Sequence, residues 1–295
     1  MTDSDLNYSN VCIVIVTFNP NIIELRASIE NLKENKLNVC IVDNSIEDEI
    51  QRAVKLFKSF SQIITLGENK GIAEAQNHGM NWAFSNGFKA VLLLDQDSYI
   101  NKKLLDDLCS SYNYLSKEEI KVACVGPLTY NRDKTERDLY TKKRRNSGMN
   151  LMKVDKTLSS GSLIAKETYQ IIGGMEVGLF IDLVDWEWCW RAREKGYETY
   201  IIADSIMAHR LGEGRRELAG FGIGIPSPIR HYYQFRNTLL LFKRSYVPIK
   251  FKIKYSLVLI FKFFYFPLFV SPRKERLKWI TKGVVDFIIG KTGSI

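Results

Sequence analysis

Four short apolar runs recur within the first hundred residues, and segments of helical periodicity separate them. They are residues 11–17 (VCIVIVT), 39–42 (VCIV), 63–66 (IITL) and 90–94 (AVLLL). A run without polar alternation reads as a strand covered on both faces. Residues 22–35 place Ile22, Leu25, Ile29 and Leu32 on one helical face, and 47–60, 72–84 and 103–115 also read as helices. Strand and helix in alternation predict an α/β chain with a doubly wound, mostly parallel sheet. Beyond residue 120 the pattern loosens. Residues 122–125 and 200–203 read as strands, and 186–195 as a helix stopped by Gly196. The charged stretch 133–146 and the Gly- and Pro-containing stretch 211–228 read as loops.

The carboxyl ends of strands in an open parallel sheet share one edge, and ligands bind there. Here those ends carry Thr17 and Asn19, then Asp43, then Asn69 and Gly71, then Asp95 and Asp97. Charge at the rim of a core is costly unless something neutralises it. Hard oxygen ligands such as Asp95 and Asp97 suit Mg²⁺ or Mn²⁺ carrying a diphosphate. Asp43 can accept from a base N–H, and Gly71 lets the backbone approach a phosphate. Each residue alone also suits a turn or a helix cap; their convergence on one edge points to a nucleotide. The chain has no GxGxxG after its first strand and no GxxxxGK[ST], which argues against a dinucleotide fold and a P-loop.

A second acidic cluster runs from Asp182 to Glu187. Asp185 is expected at the N-cap of the helix that follows, where the helix dipole favours the ionised form. An ionised carboxylate beside a cleft is what a general base requires. Trp186, Trp188 and Trp190 read as core and cleft wall. His209 follows a strand and becomes a metal ligand only if the fold brings it to Asp97. His78 and His231 read as surface or packing residues. The five cysteines are scattered without a CxxC and read as reduced buried thiols.

The net charge of +9 is uneven: residues 229–295 hold 14 Lys and Arg against two acids, so the rest of the chain carries −3. Such asymmetry points to nucleic acid or an anionic membrane surface. Residues 255–270 are intensely apolar but interrupted by Lys262 and Pro267, too short for a span. With Lys243, Lys250, Lys252 and Lys254 upstream, they suit an element lying in a membrane interface; packing on the catalytic domain or a second subunit is the other reading. The basic residues alternate with aliphatic runs rather than forming a polar patch, which disfavours a nucleic-acid binder. Residues 1–10 are polar and acidic without the apolar core of a leader, so a cytoplasmic protein is expected.

The motifs VTFNP, VDNS, NKGIAEAQNHG, LLDQD, SSGSLI, IDLVDWEWCWR and HRLG occur in this order. Together they resemble family 2 glycosyltransferases of the GT-A fold, most similar to bacterial rhamnosyltransferases of O-antigen and capsular polysaccharide assembly, over roughly residues 11–237. The resemblance implies a catalytic domain in 1–228, with a donor half at about 11–100 and an acceptor half at about 120–228, then a helical, membrane-associating segment in 229–295. It implies that Thr17, Asn19 and Asp43 line the nucleoside pocket and that Asn69, Gly71 and Asn77 lie near diphosphate and ribose. Asp95 would contact ribose or metal, Asp97 and His209 would bind metal, and Asp185 would be the base. Val184 stands where many relatives have Glu, so Asp182, Glu187 and Trp186 are expected to hold the acceptor. The implied activity is inverting, metal-dependent transfer of L-rhamnose from dTDP-β-L-rhamnose to a polyprenyl-diphosphate-linked glycan at the inner face of the cell membrane. UDP-hexose and UDP-galactofuranose are alternative donors. A sugar nucleotidyltransferase is a rival of another class, although Thr17-Phe18-Asn19-Pro20 lacks the glycine-rich basic loop such enzymes carry.

Overall fold

The computed structural model describes residues 5–59, 61–131, 150–209, 215–218 and 221–295. The first half alternates as its periodicity predicts: β1 (Val11–Thr17), α1 (Ile22–Glu34), β2 (Asn38–Asp43), α2 (Asp48–Lys55), β3 (Gln62–Thr65), α3 (Gly71–Ser85), β4 (Ala90–Asp95) and α4 (Lys102–Lys117). Asn21 starts α1 by accepting from the N–H groups of Ile23 and Glu24, and Asn101 starts α4 by accepting from Leu104 N–H. The four strands are parallel in the order β3-β2-β1-β4. The chain therefore turns back at β1, and β1 and β4 flank the crevice where such sheets bind ligands.

Successive residues of a strand face opposite sides. Accordingly Val11, Ile13 and Ile15 pack with Leu25 and Ile29 of α1 and Leu105 of α4. Cys12, Val14 and Val16 pack on the other face with Ala73 and Met80 of α3. All five cysteines are buried and free.

The second half comprises β5 (Val122–Asn131), β6 (Leu151–Val154), β7 (Leu163–Ala165), α5 (Lys166–Ile172), α6 (Val184–Glu194), β8 (Glu198–His209), and the pair β9 (Arg215–Leu218) and β10 (Phe221–Gly224). The eight-stranded sheet continues from β4 as β7-β5-β8-β6. β7 is antiparallel to both β4 and β5, and β5 is parallel to β8. β4, β5 and β8 thus point the same way, and the last residue of β8, His209, reaches the edge that carries Asp95.

Two expectations change here. Residues 215–218 and 221–224, expected within a loop, pair antiparallel with Phe221 opposite Leu218. Backbone hydrogen bonds hold that pair, so side-chain periodicity gives no signal for it. β5 also continues past residue 125 through a register shift between Pro127 and Leu128. Pro127 has no N–H to give a ladder, and the irregularity accommodates it. The stretch 133–146 lies outside the described residues.

Three helices complete the chain: α7 (Pro228–Phe242), α8 (Ile249–Phe269) and α9 (Arg273–Ile288). α7 and α9 approach so closely at Gly283 that a Cβ there would stand 2.6 Å from the Tyr232 carbonyl oxygen. Packing does not divide at residue 228, because Leu241, Val247 and Phe251 share one apolar cluster with Val14 and Trp188. Among the described residues no helix is long and apolar enough to cross a membrane.

Candidate active site

Register brings the first group of residues together. Thr17 pairs with Asp43 across β1 and β2, and Val16 pairs with Asp95 across β1 and β4. Thr17 and Asp43 are both fully buried. Asp43 Oδ1 accepts from Thr17 Oγ1 at 3.0 Å, from Ser45 Oγ at 2.7 Å and from Ser45 N–H at 3.2 Å. Its Oδ2 has no hydrogen-bond partner among the described residues. A buried carboxylate oxygen without a donor is costly unless a ligand supplies one, and an imide N–H of a nucleobase has the right chemistry. Asn19 sits at φ +45° and donates its backbone N–H to Ser45 Oγ at 2.9 Å. Asn69 Oδ1 accepts from Gly71 N–H and from Asn44 Nδ2, both at 3.0 Å. Ser45 and Asn44 adjoin Asp43 in the VDNS motif, where the sequence singled out only the aspartate.

Asp95, Gln96 and Asp97 are half-buried at the mouth of the crevice. Ser160 Oγ accepts from Asp95 N–H at 3.1 Å and lies 2.8 Å from Ser98 Oγ. Gln96 Oε1 accepts from Phe18 N–H at 2.8 Å. The turn is thereby tied to β1 and to the segment 155–162, which joins β6 to β7.

Gly71 begins α3 at φ +83°, and a Cβ there would lie 2.5 Å from the Phe180 carbonyl oxygen. Phe180, Asp182 and Leu183 themselves hold φ of +65°, +67° and +67°. Side chains rarely adopt that region, so the turn needs external support. Asn237, fully buried, donates from Nδ2 to the carbonyls of Leu179, Ile181 and Asp182. Arg236, equally buried, donates to the carbonyls of Gly178, Leu179 and Gly293. α7 therefore fixes the turn that separates the Gly71 loop from Asp185. Nothing in the local sequence of Arg236 and Asn237 signals this task.

Asp185 lies in the first turn of α6, not at its N-cap; Leu183 caps the helix in a left-handed conformation without a side-chain bond. The expected preference for the ionised form is also reversed. Burial pushes the Asp185 carboxyl up to about 7, the N–H of Trp186 opposes this, and the negative charges of Asp95 and Asp182 add to it. Asp185 and Asp95, ninety residues apart in the chain, thus share one electrostatic neighbourhood.

Several expected site residues do other work. Glu187 leaves the acceptor set: it is fully buried, bound by Arg191 Nε at 2.8 Å and by Tyr246 Oη at 2.6 Å. Asp182 is half-buried in a two-armed pair with Arg230, so both its oxygens are engaged. Asn77 uses both ends of its amide on Met175, accepting from its N–H at 2.7 Å and donating to its carbonyl at 2.9 Å. It holds the 174–175 backbone instead of facing a diphosphate. Trp186 keeps its place beside Asp185, edge-on to Phe251 and Tyr255 of α8. Lys156 Nζ stands 2.8 Å above the Trp186 ring. Neither Lys156 nor Tyr255 could be connected to Asp185 from sequence spacing. The backbone of His209 ends β8, while its side chain lies outside the described residues. His78 is an exposed neighbour of Glu74 on α3. His231 is buried, with Nε2 2.9 Å from Arg276.

Among the described residues no group of three or more His, Cys, Asp or Glu forms a cage for a metal. A cation bound through one or two carboxylates, with substrate phosphates and water completing its shell, needs no such cage. The half-buried Asp95 and Asp97 fit that description, and the repulsion between Asp95 and Asp185 favours a positive charge between the strand end and α6.

Residues 12–165 match the family model described as "Glycosyl transferase family 2". Across the whole length, the chain is 34% identical over 301 residues, covering 97% of each protein, to a dTDP-rhamnosyl transferase, RfbF, of Shigella flexneri.

The chain belongs to glycosyl transferase family 2.

It is accordingly a glycosyltransferase, which removes the nucleotidyltransferase and non-enzymatic readings. Solved structures agree on the fold. S. aureus TarS 1–349 in complex with UDP-GlcNAc superposes with a TM-score of 0.54 at 16% identity, covering 94% of this chain and 80% of that one. GalNAc-T7 with UDP, GalNAc and Mn²⁺ superposes with a TM-score of 0.55 at 14% identity over 86% of this chain, which spans 55% of the GalNAc-T7 chain.

Proposed function

We propose that this glycosyltransferase moves L-rhamnose from dTDP-β-L-rhamnose, with inversion, onto a hydroxyl of a lipid-linked glycan. The observation that carries the reading is that Asp185, in the first turn of α6, lies within the field of Asp95 at the end of β4. The donor follows from the full-length similarity to a dTDP-rhamnosyl transferase.

In this reading the unpaired Oδ2 of Asp43 accepts the imide N–H of thymine, and Thr17, Asn19 and Ser45 frame the nucleoside. Asn69 and Gly71 bring backbone toward the diphosphate. Asp97 would hold Mg²⁺ or Mn²⁺ directly, with Asp95 beside it and His209 from the end of β8. When bound, that cation supplies positive charge opposite the departing diphosphate. Asp185 takes the proton of the acceptor hydroxyl. The acceptor oxygen then bonds to the anomeric carbon as the carbon–oxygen bond to the diphosphate breaks, and dTDP leaves from the opposite face. A single displacement turns the β-linked donor into an α-rhamnoside. The acceptor is a polyprenyl-diphosphate-linked glycan at the inner face of the membrane, and the basic residues 229–295 rest on anionic lipid there.

Calorimetric titration of nucleotide sugars with Mn²⁺ tests the donor. dTDP-rhamnose is expected to bind at least tenfold more tightly than UDP-hexoses or UDP-galactofuranose, and Asp97→Ala is expected to abolish the metal-dependent part. Equal or tighter binding of a UDP-sugar would refute rhamnose as the donor.

A further inference from the structure

A lysine ammonium stands over the ring of Trp186, in the field of Asp185. Lys156 is half-buried and forms no ion pair with any described carboxylate. Its ammonium instead lies over Trp186, with Trp190 at 5.5 Å and Phe251 at 5.7 Å. Burial, with the charge of Lys254 adding to it and those of Asp185 and Asp155 opposing it, leaves its pKa lowered to about 8. Two lysines thus stand in one another's field, with Asp185 beside Lys156. Such an arrangement favours an arriving anion, because a phosphate relieves their repulsion and accepts hydrogen bonds from both.

Lys254 also heads a row on α8. Leu257, Phe261, Phe264 and Leu268 follow it at i+3, i+7, i+10 and i+14, which places them on one helical stripe. They are 67%, 45%, 59% and 56% exposed. A contiguous exposed apolar stripe marks a binding surface more often than ordinary surface. This one begins at Lys254 and is joined to the neighbourhood of Trp186 and Asp185 by the stacked pair Phe251 and Tyr255, whose ring centroids lie 4.2 Å apart. Positive head and apolar tail in that order are complementary to one kind of molecule, an amphiphile with an anionic headgroup.

We infer that Lys156 and Lys254, beside Trp186 and Tyr255, form the seat for the phosphate headgroup of the lipid-linked acceptor, and that the α8 stripe from Leu257 to Leu268 receives its hydrocarbon chain. This rests on the reading of the protein as a transferase acting on a lipid-linked acceptor. It adds where that acceptor is gripped and why its hydroxyl arrives on the Lys156 side of Asp185.

The test uses the intact chain with dTDP and Mn²⁺ at saturation, so that the donor site is filled. Calorimetry then follows farnesyl diphosphate, farnesol and inorganic pyrophosphate. Farnesyl diphosphate is expected to bind the native protein. Lys156→Gln and Lys254→Gln should each weaken it about tenfold or more, the range of one charge-assisted hydrogen bond, and Lys156→Arg should restore it. The double variant Leu257→Glu, Phe264→Glu should weaken farnesyl diphosphate and leave pyrophosphate unchanged. Retained dTDP affinity shows that each variant is folded; if Lys156→Gln loses it, Lys254→Gln and the stripe variant decide the matter. Absence of binding to the native protein, equal affinity for farnesol, or undiminished binding in both lysine variants overturns the proposal. Pyrophosphate binding as tight as farnesyl diphosphate reduces the site to one for free phosphate and overturns the lipid seat. A dimer in ultracentrifugation that the stripe variant dissociates, without loss of farnesyl diphosphate binding, gives the stripe to a second copy and overturns it as well. The identity of the donor is read from the dTDP-rhamnose isotherm alone, so failure there leaves the headgroup result standing.

Discussion

At Asp185 two local influences oppose each other. The N-terminus of α6 and the Trp186 N–H favour the carboxylate, whereas burial and the charge of Asp95 favour the acid, and burial prevails. A base works only when ionised, so the rate should rise with pH through about 7 and level off above it. A kcat/KM profile flat from pH 5 to 8 would contradict the assignment. Asp185→Asn should lower kcat by roughly a thousandfold and leave dTDP affinity intact. The same shift fixes a stability effect. With the folded pKa above the unfolded one, ionisation in solution draws the chain toward unfolding as pH rises from about 4 to about 7. Asp185→Asn should therefore be more stable than the native protein at pH 8, by roughly 1–3 kcal/mol, with the gain vanishing near pH 4. Thermal melts at the two pH values check it. Asp43 and Asp95 were legible as candidates because each ends a buried strand, and Asp97 because it lies in the turn directly after one. Glu187 and Asn77 were not, because whether a polar side chain meets solvent or a buried partner depends on Tyr246 and Met175, which are distant in sequence.

At the level of elements, the turn 178–183 decides how the two halves of the site meet. It touches Gly71 at one end, leads into α6 and Asp185 at the other, and is held by Asn237 from behind. Asn237→Ala removes three hydrogen bonds to buried carbonyls, and is expected to cost about 2–4 kcal/mol and to lower kcat more than it raises donor KM. Denaturant titration with steady-state kinetics tests both. Gly71→Ala meets a positive φ and the Phe180 carbonyl together. It should destabilise the fold by about 2 kcal/mol or more and weaken dTDP binding at least tenfold. Unchanged dTDP affinity in a folded Gly71→Ala protein would remove Gly71 from the donor site. The parallel strands and their helices follow from uninterrupted apolar runs and 3.6-residue spacing, which are local signals. The β9–β10 pair is held by backbone bonds between its own two strands and the extension of β5 by backbone bonds to β8, and neither leaves such a signal.

For the molecule as a whole, α7 to α9 complete the fold instead of decorating it. Arg236, Asn237 and Leu241 are buried against the catalytic half. A chain ending at residue 228 is accordingly expected not to fold, seen as loss of cooperative melting and of near-UV circular dichroism. The chain of residues 1–295 should gain about 2.7 kcal/mol from dTDP and Mn²⁺ at a hundredfold excess over Kd, read as a rise in Tm that EDTA reduces. By itself the sequence determined the sheet class, the edge that carries Asp43 and Asp95, and the family, because buried strands and the residues that end them are written contiguously. Only the tertiary structure decided which charges stand together. Asp95 with Asp185, Lys156 with Trp186, and Asn237 with the 178–183 turn are pairings across long separations, made when burial of apolar faces brings remote segments into one low-dielectric space.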